Sequence, residues 1–250
     1  MNDTAQKNPT GTQYLEFASA IANATCHYLQ DGEIGKDELQ RLIGDKTLIK
    51  SIAEKNADEF LKLVRIPEEK QILVSFFKEV FNEEINLDKI VFPKKDDFTM
   101  CLFNPKTLTI DERLKLIEKK FGVNETYKYM SPVSQKIDLT KEQKRPTTPY
   151  AFCVRDSAEP DTKHLGKSYD DAIGEKMQFM NAEEYIIFQA YYKFVKKDWA
   201  DKKGWTRTSS LWSDGYLVGG RWASDDTQLK LSDGFRGNRH TDNGPRELSL

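Results

Sequence analysis

Tyr216-Leu217-Val218-Gly219-Gly220-Arg221-Trp222 sits at the centre of the last fifth of the chain, Gly204 to Leu250, and its reading decides the fold. A β-prone run with paired glycines before a tryptophan reads as a strand that other atoms approach closely, because glycine lacks a Cβ and indole offers a large area to bury. Leu229-Lys230-Leu231-Ser232, Gly234-Phe235-Arg236 and Gly244-Pro245-Arg246-Glu247-Leu248 follow it. Polar clusters separate these pieces: Ser213-Asp214-Gly215, Ser224-Asp225-Asp226 and Asp242-Asn243-Gly244. Short strands punctuated by turn formers predict an antiparallel meander with long final loops. Three of the four tryptophans (Trp205, Trp212, Trp222) and half of the fourteen glycines fall here, so the stretch is a folded unit and not a solvated tail.

Immediately upstream, Asn181-Ala182-Glu183-Glu184 is an N-cap with an acid three residues on. The helix it opens carries Ile186, Ile187, Ala190, Tyr191, Phe194 and Val195 and ends near Lys196-Lys197. Tyr169 to Phe179 supplies a weaker helix, and Tyr150-Ala151-Phe152-Cys153-Val154 reads as a strand. Residues 126–149 hold Pro132, Pro146, Pro149 and the charged run Lys141-Glu142-Gln143-Lys144-Arg145, which suits a linker.

The earlier chain has helical periodicity. Tyr14, Phe17, Ala18, Ile21, Ala22, Thr25 and Tyr28 share one face, and Pro67 with Glu68 and Glu69 starts a helix bearing Ile72, Leu73, Phe76, Phe77 and Val80. Thr109-Ile110-Asp111-Glu112 is a capping box, with Leu114, Ile117 and Phe121 behind it and Gly122 as the stop. Phe98 to Phe103 is either a short strand or an apolar link. The expected organisation is a disordered lead at 1–12, a helical domain at 13–125, a linker at 126–149 and an α+β domain at 150–250.

The Gly-Gly-x-Trp of residues 219–222, the leucine-alternating strand after it and the Gly-x-Arg-x-Leu of residues 244–248 resemble the formylglycine-generating-enzyme (sulfatase-modifying-factor) branch of the C-type lectin fold. That branch includes the variable proteins of diversity-generating retroelements, whose ligand-facing residues lie in this last stretch. The resemblance covers about the last hundred residues and rests on Val218 to Leu248. It implies a C-type-lectin-like carboxy-terminal domain with a short antiparallel sheet and one or two helices, and a structural role for Arg246 in tying in the last strand. Formylglycine-generating chemistry uses carboxy-terminal cysteines, and no cysteine follows Cys153. The related sulfoxide synthases use three imidazoles from a helical partner domain, where this chain has only His27. The expectation is therefore a non-catalytic binding protein.

Charge narrows the partners. With 38 Lys+Arg against 40 Asp+Glu, and six of each from Gly204 onward, the chain lacks the basic footprint of nucleic-acid binding. Met1 to Thr12 has neither a basic n-region nor an apolar h-region, and no run approaches the ~18 apolar residues of a membrane span, which predicts a cytoplasmic protein with no membrane partner. Cys26, Cys101 and Cys153 are widely spaced in apolar surroundings and read as buried reduced thiols.

Cofactors are not expected, calcium being the one metal weighed. Asp31-Gly32-Glu33-Ile34 through Glu38 is half of a calcium loop, but its first and third positions would be His27 and Leu29, which offer no carboxylate. Asp214, Asp225, Asp226, Asp233 and Asp242 stand beside Gly and Ser, as turn formers do. The recognition surface is expected on Asp233 to Asn243, through Phe235, Arg236, Asn238, Arg239, His240 and Asp242. Trp212 beside its turn is the exposed, ligand-facing ring, and Trp222 a core ring. The ligand is a protein or a glycan. Two alternatives stand beside this reading: a metal-dependent enzyme using the Asp-rich turns, and an assembly protein of a mobile element. Oligomeric state is not legible in these residues.

Overall fold

The computed structural model describes residues 69–250, which lie in a unit running from Glu68 to Leu250. The calcium half-loop, the first helical face and the 1–12 lead fall outside the described residues. The unit is α+β. Helix α1 (69–81) widens into a π-helical last turn, Phe77–Phe81, and buries Leu73, Phe76, Phe77 and Val80, while Ile72 faces outward. After it come β1 (Met100–Asn104), α2 (Ile110–Phe121), β2 (Tyr127–Lys128), α3 (Val133–Lys136) and β3 (Tyr150–Val154). The remainder is α4 (Tyr169–Gly174), α5 (Ala182–Lys196), β4 (Thr206–Leu211), β5 (Leu217–Ala223), β6 (Gln228–Gly234), β7 (Gly244–Pro245) and β8 (Leu248–Ser249).

Local chemistry sets the helix ends where the residues indicate. Thr109 caps α2 through a reciprocal pair with Glu112, and Gly122 closes it at φ 63. Asn181 and Glu184 cap α5 in the same way, and Ser168 with Asp171 caps α4. Each cap satisfies amide donors that the first turn cannot pair internally.

The strands form two sheets, one of order β1-β3-β8 and one of order β2-β6-β5-β4-β7. This pairing corrects the expected boundary. β1 is antiparallel to β3 from Met100↔Val154 to Asn104↔Tyr150, and β2 lies parallel to β6 at Tyr127↔Lys230. Residues 126–149 are therefore not a linker: they carry β2 and α3 of the same unit that holds 150–250. Their prolines and charges suit exposed turns, yet the strand partners that fix them lie up to a hundred residues away in sequence, where local composition carries no information.

Cys101 stands opposite Cys153 and the two form a disulfide with Cα atoms 4.1 Å apart, correcting the expectation of reduced thiols. Helix α5 runs against the five-stranded sheet. Its Tyr185, Ile186, Ile187 and Phe188 are fully buried, and Trp222 stacks on Trp199 at 4.3 Å and 9°. Gly220 shows why the strand needs glycine, since a Cβ there would lie 2.0 Å from the Tyr185 ring. The crowding expected around Trp222 is set by Tyr185 instead.

Candidate functional site

The loop 235–243 leaves the sheet at β6 and returns at β7. Its position is set by α4, whose first turn offers Asp170 and Asp171. Arg236 reaches Asp170 Oδ1 through Nε at 3.0 Å and Nη2 at 2.6 Å, and Arg239 grips both oxygens of Asp171 at 2.8 and 2.7 Å. The Arg239 guanidinium, together with the Ser168 cap, holds the Asp171 carboxyl well below the usual carboxylate range. Backbone donors add to the tie, Tyr169 N–H to the Arg236 carbonyl at 3.0 Å and Asn238 N–H to the Phe235 carbonyl at 3.1 Å. Phe235 remains 69% exposed although its ring lies 5.3 Å from that of Tyr216.

Phe235, Arg236, Asn238, Arg239, His240 and Asp242 are thus carried together on one exposed loop. Trp212 is not part of it. Its side chain is fully buried, with Nε1 donating to the Ser232 carbonyl at 3.2 Å and the ring 6.0 Å from Tyr129, so the expectation of an exposed ligand-facing ring is corrected. The Ser213–Gly215 turn beside it is exposed or half-buried, but the tryptophan pairs inward, its N–H donating to the Tyr216 carbonyl. The half-buried indole of this region is Trp205.

Beneath the loop, the five-stranded sheet has two unlike faces. Toward α5 lie Gly220, Thr206 and Val218; on the other side lie Gly219, whose Cβ position is 3.5 Å from the Trp205 ring, and its cross-strand partner Arg207. Opposed residues of an antiparallel pair share a face, so Arg207 and Leu211 of β4 align with Gly219 and Leu217 of β5 and with Ser232 and Gly234 of β6, and Arg221 of β5 aligns with Lys230 of β6. The Arg221 guanidinium sits 5.5 Å from the Trp205 ring centre. One end of this face is closed by Tyr169 and Ala172 of α4 packing with Leu211 and Leu217.

Arg207 is only 4% exposed, and its Nε and Nη2 have no hydrogen-bond partner; neither do the buried Arg221 Nε and Ser209 Oγ. Burial alone pushes the Arg207 pKa down, with no acid acting against it. A sequence reading could not find it: Thr206-Arg207-Thr208-Ser209-Ser210 is wholly polar and reads as surface, whereas all five residues are buried.

No protein-family model, curated protein or solved structure matches this chain.

The alternative chemistry is also visible in place. Among the described residues, Asp161, His164 and Glu247 are the one group with ligand atoms close enough to hold a metal. His164 and Glu247 line a cleft of about 580 Å³ with Lys95 and Lys163. Glu247 accepts from Lys95 at 2.7 Å, Arg155 at 2.9 Å, Lys163 at 3.0 Å and His164 Nε2 at 3.1 Å, and Asp161 accepts from Arg155 at 2.5 Å. Three fixed cations already neutralise two carboxylates, so a divalent ion would have to displace them; the donor set does not fit a metal. Burial raises the Glu247 carboxyl, but the bonds from Lys95, His164, Lys163 and Arg155 outweigh it and hold the group far below its ordinary value.

The Asp-rich turns do not converge. Asp214 accepts from Tyr129 Oη and Tyr216 N–H, Asp226 pairs with Lys230, and Asp233 accepts from Ser232 Oγ. Apart from the Tyr129 contact, which reaches across the fold, these are local turn roles.

Proposed function

We propose that this chain is a non-catalytic binding protein whose carboxy-terminal part is C-type-lectin-like and whose loop 235–243 presents the ligand-contacting surface to a protein or glycan. The carrying observation is the combination of an exposed Phe235 with a loop already pinned by two forked Arg–Asp pairs. An aromatic anchor on a pre-set loop loses little conformational freedom on binding, which is how loop surfaces gain affinity. The order strand, capped helix, meander supports the lectin-like assignment, as does Arg246, which joins the closing strand to the core. The Cys101–Cys153 bond supports work in an oxidising compartment in place of the expected cytoplasm. Among the described residues no helix is long and apolar enough to cross a membrane.

The test is a glycan-array and purified-partner screen with the full chain, followed by the triple variant Phe235→Ala, Asn238→Ala, His240→Ala. The variant should keep its thermal midpoint and bind at least about tenfold more weakly, the equivalent of ~1.4 kcal/mol. Unchanged affinity would remove the loop from the function.

A further inference from the structure

We propose that the exposed aromatic row Tyr129–Tyr216–Phe235, with the carboxylates of Asp214 and Asp233 beside it, is a docking surface for an arginine side chain of a protein partner. This rests on the chain being a binding protein, and it gives the ligand of that reading its class.

Three strands bring the row together. Tyr129 directly follows β2, Phe235 directly follows β6 and Tyr216 directly precedes β5. Since β6 runs parallel to β2 and antiparallel to β5, with Leu217 opposite Gly234, all three residues leave the sheet at the same end. Tyr216 and Phe235 flank that last pair, their ring centres 5.3 Å apart and tilted by 60°, and the Tyr129 ring lies 6.3 Å from Tyr216 at 63°. Trp212, against which Tyr129 packs, is buried, but the row itself meets water: Phe235 is 69% exposed and Tyr129 36%, with Tyr216 half-buried. Exposed aromatic rings of this kind recur at the centres of protein interfaces.

Charge complementarity selects the occupant. Asp214 accepts from Tyr129 Oη at 3.1 Å through one oxygen and from Tyr216 N–H at 3.2 Å through the other, and so joins two of the rings. Asp233 lies two residues before Phe235, an interval that puts both side chains on one side of an extended chain. The hydrogen bond to Asp214, then desolvation, then the charges of Asp214 and Asp233 push the Tyr129 phenol up, so both acids act on the row. Both are exposed, and among the described residues neither has a lysine or arginine in ion-pair range, whereas Asp226 has Lys230 and Asp170 has Arg236. The rings lack cations as well. Elsewhere the chain covers its rings with its own side chains, Arg221 over Trp205 at 5.5 Å, Arg236 over Tyr169 at 5.1 Å and Lys197 over Phe194 at 5.0 Å; among the described residues none lies over Tyr129, Tyr216 or Phe235. A ring face attracts a cation through its quadrupole, and the two uncompensated carboxylates pull in the same direction, so the surface favours a positive group over a neutral one. A guanidinium meets both features at once, its plane stacking on a ring and its N–H groups reaching a carboxylate.

The full chain is titrated at fixed ionic strength with the peptide N-acetyl-Gly-Arg-Gly-amide, with its lysine counterpart, with its citrulline counterpart, which keeps the shape and loses the charge, and with the neutral sugar cellotriose. The arginine peptide should shift the ring resonances of Tyr129, Tyr216 and Phe235 saturably in ¹H–¹³C spectra and bind at least about fivefold more tightly than the citrulline peptide. The double variant Asp214→Asn, Asp233→Asn changes two exposed side chains and keeps their acceptor oxygens, so it should stay folded and bring the arginine and citrulline affinities together. No ring response to the arginine peptide in the parent chain, or a full arginine preference kept by the double variant, refutes the surface. Tighter binding of the lysine peptide overturns the arginine assignment, and ring shifts with cellotriose alone move the row to the glycan class. The double variant spares every residue of the loop triple variant, so the two readings fail separately: a partner lost in the triple variant with no arginine response in the parent sinks the surface alone, and an arginine response in a chain whose triple variant still binds its partner sinks the loop alone.

Discussion

The two faces of β4 each bury an arginine and treat it in opposite ways. On the α5 side, Arg246 is 1% exposed and every contact is filled: Asp201 by Nη2, Thr206 by Nε, and the Ser157 carbonyl and hydroxyl by Nη1, with the Phe188 ring 4.5 Å away. Asp201 also accepts from Thr206 Oγ1 and Gln189 Nε2, so the charge is enclosed in a bonded network. On the opposite side, Arg207 has the same burial and none of the acceptors. Burial of a charge is tolerated when the fold supplies the counter-group, and is otherwise a cost to stability. The first arginine is balanced by the fold, and the second is a net cost to it.

The sharpest way to break this comparison is Arg246→Met. Removing one partner strands Asp201 in the core, and the change should cost about 3–5 kcal/mol in denaturant unfolding, opposite in sign to the gain expected of Arg207→Met. A loss below ~1 kcal/mol would mean that the network contributes no more than an ordinary surface pair, and the contrast between the faces would vanish.

The adjacent glycines give a second contrast without any charge. Gly220→Ala drives a methyl to 2.0 Å from the fully buried Tyr185 ring, which is also held through its hydroxyl by Gln189, and should cost about 1–3 kcal/mol. Gly219→Ala meets the Trp205 ring at 3.5 Å and the Thr206 carbonyl oxygen at 3.9 Å, both ordinary contacts, and should stay within ~0.5 kcal/mol of the parent. Equal effects at the two positions would show that the outer face is packed as tightly as the inner one.

The smallest effect concerns Glu247, next to Arg246. Its carboxyl is held below the unfolded value of about 4.3, so its pairing contributes fully above that pH and is lost as the pH falls through that value toward the depressed one. Thermal midpoints measured from pH 7 to pH 3 should therefore fall less steeply in Glu247→Gln than in the parent. Parallel curves would show that Lys95, Arg155 and Lys163 do not bind the acid more tightly in the folded chain than in the unfolded one.

Much of the local architecture is legible in the residues. The capping boxes at Thr109 and Asn181, the stop at Gly122, the strand Tyr150–Val154 and the hairpin around Ser224–Thr227 fall where cap and turn chemistry puts them, because each depends on residues within four or five positions. The failures share a cause. Nothing near Cys101 announces Cys153, 52 residues on, and nothing in 126–149 announces β6. Trp212 beside a polar turn looks exposed until Tyr129 and Ser232 close over it. Of the candidate site, the loop with its aromatic and its arginines could be read directly; the sheet face below it could not.

By itself the sequence determined the α+β class, the limits of the two capped helices Ile110–Phe121 and Ala182–Lys196 and the composition of the 235–243 loop, since cap, turn and alternation rules act over one or two turns of chain. Which strands pair, where the unit begins and which arginine meets a carboxylate were decided only in three dimensions. Those outcomes depend on contacts between distant segments, and a guanidinium written between two threonines carries the same local signature whether it faces water, an aspartate or a packed interior without one.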